Sequence, residues 1–412
     1  MSREIRVPVD STLDRLLAGS PLRRPWVARW LIVGLVAALL LSTAVILLAV
    51  GSLHAEAVRV FLIGLLLSAL LSTIPVLILR YLDRRERESP WLYAIAILWG
   101  ALIATGLALP LNTGIIVAVG RWLDQYPGLG VFLGPHGAML LGAPLAAPVV
   151  EETTKALGVI LFFALLRAEF DNMRDGFVYG ALVGVGFNLV EAPLYVAQGF
   201  AEYGVAPWGD QFGGRFALFG LGGHAMFTGM FGAFLGVARQ TRRLWLRITA
   251  PLIGLALAIL AHTLNNSLAL IITILLRHAG EEMPEPGPPQ QVPFLEAWVQ
   301  ASIQNLIVFL PFVIVMLVAL QRSGKWERRV IEEQLAGEVG GAVTPEEYAA
   351  IKRDRIFRTR RVDRVDRRRS AALVNAQHEL AFRKRYVRAK GGDPEADRLV
   401  AGWRREIMAL RA

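Results

Sequence analysis

The sequence has no cysteine, which excludes disulfides and thiolate metal sites and leaves any metal ion to His, Glu and Asp. Histidine occurs only six times, and charged residues make up 19% of the 412 positions. Amphipathic spacing is also scarce. Apolar residues, 54% of the chain, come instead in runs of about twenty or more, and the mean hydropathy is +0.46. That composition excludes a soluble core and indicates a membrane protein. The first run, Trp26 to Val50, follows Arg23 and Arg24 but is too long for a signal-peptide core, so it reads as a retained first helix.

The apolar runs predict spans near 28–50, 57–80, 91–110, 133–167, 175–199, 215–239, 248–276 and 295–320. The expected fold class is therefore all-α: a polytopic transmembrane bundle of about eight helices. Basic loops follow the second span (Arg80, Arg84, Arg85, Arg87), the fourth (Arg167, Arg174) and the sixth (Arg239, Arg242, Arg243, Arg247). The loops between them are poorly basic. An even number of spans puts both termini on the side of the basic loops, which the positive-inside rule makes cytoplasmic. The stretch from Pro110 to Gly120 either extends the third span or lies at the surface. Pro144 and Pro148 are expected to kink or break the long fourth run. The loop beginning at Glu281 reads as irregular and partly polyproline.

Three regions result: a cytoplasmic segment 1–25, a bundle 26–321 whose chemistry falls in spans 133–276, and a tail 322–412. The tail holds 23 Lys and Arg against 14 Asp and Glu, which is nearly all of the net charge of +10. Such a tail reads as a cytoplasmic segment beside anionic lipid in preference to a nucleic-acid surface. Thr344-Pro-Glu-Glu has the cap, first-turn proline and third-position Glu of a helix start, so the tail is expected to be partly helical.

A charged side chain at membrane depth costs about 2.5–3.5 kcal/mol on insertion scales, so each one in an apolar run is a candidate for function. They fall in four places: Glu151-Glu152-Thr-Thr-Lys155, Phe187-x-x-x-Glu191, His224-x-x-x-Thr228 and His262-x-x-Asn265-Asn266. At ~1.5 Å per helical residue, Glu151, Glu191, His224 and His262 all lie roughly 22–24 Å from the cytoplasmic ends of their spans. Residues four apart share a helical face, so each span offers one polar stripe. Taken singly, Glu151 or Glu152 with Lys155 reads as a structural ion pair, and each histidine or asparagine as packing glue. Three carboxylates and two histidines in one plane are not satisfied by packing alone. Their convergence points to a functional centre in the outer half of the bilayer. The glycines flanking these stripes permit close helix approach.

In this order and on these helices, Glu151-Glu-x-x-Lys155, Asp175-Gly-Phe-Val-Tyr-Gly180, Gly184-x-Gly-Phe187-x-x-x-Glu191, His224 and His262-x-x-x-Asn266 resemble the PrsW family of intramembrane proteases. That family is related to the CAAX-processing and bacteriocin-maturation proteases. Where those relatives have Arg after the paired glutamates and His in the second motif, this chain has Lys155 and Glu191. The resemblance implies a multi-pass protease of a bacterial-type plasma membrane. Its substrate would be a membrane-anchored regulator such as an anti-sigma factor, cut near the extracytoplasmic side.

Two mechanisms are open for the set Glu151, Glu152, Lys155, Glu191, His224, His262 and Asn266. In one, without metal, Glu151 or Glu152 is the general base, Lys155 pairs with one of them, His262 and Asn266 polarise the scissile carbonyl, and His224 and Glu191 place the water. In the other, Glu191, His224 and His262 hold Zn²⁺ with an open water position, and Glu151 or Glu152 is the base. A proton- or cation-coupled transporter is the alternative from another class, because buried Glu, His and Lys also build ion pathways. A scaffold acting through the tail is a third.

Overall fold

The computed structural model describes residues 17, 20–85, 88–167, 169–280, 288, 291–353 and 366–411. Most of segment 1–25, Arg87 and most of the proline-rich loop lie outside them. Among the described residues the regular structure is all helical, apart from a single bridge between Val339 and Val343. The helices are α1 Pro25–Gly51, α2 Ala55–Leu82, α3 Pro90–Leu123, α4 Pro127–Leu133, α5 Gly137–Leu165, α6 Met173–Tyr203, α7 Trp208–Arg215, α8 His224–Gln240, α9 Leu244–His278, α10 Phe294–Val308, α11 Leu310–Ala336, α12 Pro345–Lys352, α13 Arg367–Ala389 and α14 Arg398–Arg411. Among the described residues, six segments are long and apolar enough to cross a membrane, or eight if the bent pairs α4/α5 and α10/α11 each count as one span. This is a multi-pass membrane protein.

The bends differ from the sequence expectation. The fourth run breaks by 88° between Leu133 and Gly137, and α5 then continues through Pro144 and Pro148. Gly134, with φ 75°, takes the left-handed turn that a side chain would resist. The eighth run bends by 79° at Phe309, where Pro311 lacks the N–H needed to continue α10 and instead starts α11. The third run is one helix as far as Leu123, with a π segment at Trp99–Ala104. One inserted residue turns everything beyond it by about 100°. The sixth span becomes helical at His224, after an irregular stretch in which Leu218 and Phe219 have positive φ.

Buried α6 is the axis of the bundle, and α8 runs antiparallel along it. A β-carbon on Gly176, Gly180 or Gly184 would collide with the carbonyl of Gly232, Thr228 or His224 respectively. Glycine at every fourth position thus lets the two backbones touch. This register also explains the common depth of the polar residues. Side chains lean toward their own helix's N-terminus, so in an antiparallel pair Glu191 and His224 lean toward each other.

At the Arg-rich end, the boundary drawn at 322 falls inside α11, which carries on into a second apolar core. There Ile331 and Leu335 pack with Leu373 and Leu380 of α13 and with Val400 and Ile407 of α14. Thr344 and Glu347 cap α12 reciprocally, at 3.2 and 2.9 Å. Glu327 joins the two cores, 2.8 Å from Arg174 and 3.4 Å from Arg85, and His378 Nδ1 lies 2.7 Å from the Arg85 carbonyl.

Beside this junction the buried Asp83 carboxylate accepts from the Tyr93 hydroxyl and the Glu88 N–H. Burial outweighs both donors and pushes its pKa up to about 8. An acid whose folded pKa is raised stabilises the fold fully only below its unfolded pKa, and that contribution is lost as pH rises from about 4 to about 8. Thermal unfolding of the detergent-solubilised protein should therefore occur at lower temperature at pH 8.5 than at pH 6. Asp83→Asn, which keeps both acceptor contacts, should flatten that difference. An unchanged slope in Asp83→Asn would contradict this account.

Candidate functional site

The centre is built on α5. Glu151, Glu152 and Lys155 occupy two successive turns, and all three are buried, Lys155 completely. The Lys155 Nζ lies 3.1 Å from Glu151 Oε2, 2.9 Å from Glu152 Oε1 and 2.7 Å from His224 Nδ1, and 3.8 Å from the centre of the Phe187 ring. An ammonium has three hydrogens to give, and here each has an acceptor. Since Lys155 can only donate, His224 Nδ1 accepts, and His224 Nε2–H donates to Glu191 Oε2 at 2.9 Å.

The two glutamates differ in their surroundings. Glu152 is held on both oxygens: Oε1 by Lys155 and by His262 Nδ1 at 3.1 Å, and Oε2 by the Thr228 hydroxyl at 2.9 Å. Glu151 accepts from Lys155 and from the Asn112 amide at 3.0 Å, and it faces a cavity of about 160 Å³. Glu191, His224, His262, Asn265 and Asn266 also line that cavity, whereas Glu152 does not. With His262 Nδ1–H given to Glu152, Nε2 is the ring's basic nitrogen. Asn266 gives one amide hydrogen to the Ala143 carbonyl at 3.3 Å.

All seven residues singled out from the sequence thus belong to one cluster and its cavity. Further polar neighbours lie outside that set. Arg215 bonds Glu191 Oε2 through Nε at 3.0 Å, Asn112 orients Glu151, and Asn305 lines the cavity from α10. Arg215 falls at a span boundary, and Asn112 in the 110–120 stretch that the sequence places either in the third span or at the surface. Each was nonetheless a polar residue in or beside an apolar run.

Residues 88–317, more than half of the chain, match the family described as PrsW family intramembrane metalloprotease. The chain belongs to the PrsW family. Similar proteins include a protease PrsW of Geobacillus kaustophilus, 33% identical over 112 residues that cover 26% of this chain and 45% of that protein. A protease PrsW of Halalkalibacterium halodurans is 29% identical over 145 residues, covering 34% and 59% respectively. The chain thus spans about half the length of these PrsW relatives. No solved structure matches it.

The family description implies a metal ion. Among the described residues, Glu151, His224 and His262 form a donor group, with one atom of each within 4.8 Å of the others. One carboxylate and two imidazoles suit zinc in kind. The sequence reading placed Glu191 in that set, but Glu191 is bound by Arg215 and lies on the far nitrogen of His224. The Lys155 ammonium sits among the same donors and holds the His224 Nδ1 lone pair. Lys155 therefore competes with a metal ion for Glu151 and for the Nδ1 side of His224.

Proposed function

We propose that this chain is an intramembrane peptidase that hydrolyses a peptide bond of a membrane-anchored protein, with Glu151 as general base. The observation that carries this reading is the division of labour between the glutamates: Glu152 is bound on both oxygens, while Glu151 faces the cavity. Glu151 takes a proton from water, the resulting hydroxide attacks the scissile carbonyl, and Glu151 returns the proton to the leaving amine as the C–N bond breaks. One amide hydrogen of Asn266 is free to stabilise the oxyanion. Lys155 pairs with Glu151 at 3.1 Å and is not consumed. His224 and Glu191 hold Lys155 and Arg215 in register.

The motif resemblance favours an anti-sigma-factor-like regulator as substrate. The basic loops favour an orientation with both termini cytoplasmic, the basic tail against anionic lipid and cleavage near the extracytoplasmic side.

The test is co-reconstitution of the purified protein with tagged single-span proteins in liposomes, after dialysis against chelator. Release of a soluble fragment by the wild type, unaffected by chelation, is the expected result. Loss of cleavage on chelation and its return with Zn²⁺ would favour the zinc mechanism. Proton or cation flux without any cleavage would favour the transporter.

A further inference from the structure

Three asparagines around the cavity share an unusual state. Asn112 Oδ1, Asn188 Oδ1 and Asn305 Oδ1 are buried and accept no hydrogen bond, although all three residues line the cavity. Asn188 and Asn305 are only 1% and 5% exposed. Their orientation is fixed by their nitrogens. Asn112 Nδ2 donates to Glu151, Asn188 Nδ2 to the Arg215 carbonyl at 3.2 Å, and Asn305 Nδ2 to the Ala301 carbonyl at 2.7 Å. Flipping any amide would set oxygen against oxygen, so in each the oxygen is the atom left over. A β-carbon on Gly222 would come within 3.2 Å of Asn305 Oδ1, so glycine there avoids crowding that oxygen.

Buried acceptors without donors are costly, and three around one cavity call for an occupant that brings donors. The chemistry of the substrate supplies one. A membrane-spanning helix satisfies its N–H groups internally, and its carbonyls are shielded by the same bonds. To be hydrolysed, the segment must unwind. Each N–H freed at membrane depth is then costly unless it finds an acceptor.

We propose that Asn188, Asn305 and Asn112 form the acceptor side of a binding subsite for the main chain of an unwound substrate segment, each oxygen receiving a backbone N–H beside the scissile bond. The subsite reads backbone conformation and not side-chain identity. Its substrates are therefore spans whose ends unwind easily, irrespective of residue type. This assignment rests on the peptidase reading.

The probe is a synthetic single-span peptide of leucine and alanine with a glycine-serine segment near one end. The amide bonds of that segment are replaced by esters one at a time, which removes single N–H groups. Affinity is measured in bicelles for Glu151→Gln, and for Glu151→Gln combined with Asn305→Ala or Asn188→Ala. Loss of one neutral hydrogen bond should weaken binding about five- to tenfold at one or more ester positions. Asn305→Ala or Asn188→Ala should weaken the all-amide peptide similarly and remove the sensitivity to one particular ester. Unaltered binding of every ester, independent ester and asparagine effects, or no binding at all would overturn the proposal and leave the oxygens as water ligands. Coupled binding by a wild-type protein that never cleaves the amide peptide would sink the peptidase reading and leave the subsite standing.

Discussion

Glu151→Gln is expected to lower kcat by about 10³-fold while leaving KM and the unfolding temperature close to those of the wild type. The substitution preserves the shape of the side chain and an acceptor for Lys155, so the cluster keeps its lysine between two α5 residues. What disappears is the basic oxygen facing the cavity. Glu152→Gln should behave differently. Its amide oxygen can still accept from Lys155 and His262, and its new NH₂ meets the Thr228 hydroxyl, which can turn to accept. The expected loss is smaller and accompanied by a shift in stability, because Glu152 orients its neighbours without facing the cavity. Steady-state cleavage of one single-span substrate by both variants decides the matter. If Glu152→Gln were inactive and Glu151→Gln active, the roles would be reversed.

How much of this centre the sequence disclosed depends on what set each residue's position. Glu151, Glu152, Lys155, Glu191, His224 and His262 could be gathered from depth alone, because α6 and α8 are antiparallel and the glycine stripes fix their register. Periodicity and loop charge carry that information. The bend at Gly134 was not legible, since the prolines at 144 and 148 gave the stronger local signal. Helix α5 absorbs both because a proline needs only the loss of one N–H bond and room for its ring, which tertiary packing can supply. Asn112 was hidden for a related reason. The π segment at Trp99–Ala104 turns the rest of α3, and no single-sequence pattern marks such an insertion. The division of roles between the two glutamates was equally out of reach, because adjacent residues on one helix have the same depth and differ only in which neighbours they meet.

Lys155→Met should produce the largest loss of stability, about 3–5 kcal/mol, because it leaves buried carboxylates without their cation. Lys155 is fully buried, and Glu151, Glu152 and His224 all aim a lone pair at its Nζ. Methionine fills much of the same volume, so the effect should come from charge and not from a cavity. The variant also bears on the metal question. With the ammonium gone, Glu151, His224 and His262 become an unoccupied donor set, and the His224 Nδ1 lone pair is released. Added Zn²⁺ should then raise the unfolding temperature of Lys155→Met while leaving the wild type unchanged, since a bound ion stabilises only the state that holds it. Purified wild-type protein should accordingly carry substoichiometric zinc. If Zn²⁺ instead stabilised the wild type and not Lys155→Met, Lys155 would be supporting a metal ion rather than standing in its place, and the water would be activated by that metal with Glu151 as a ligand.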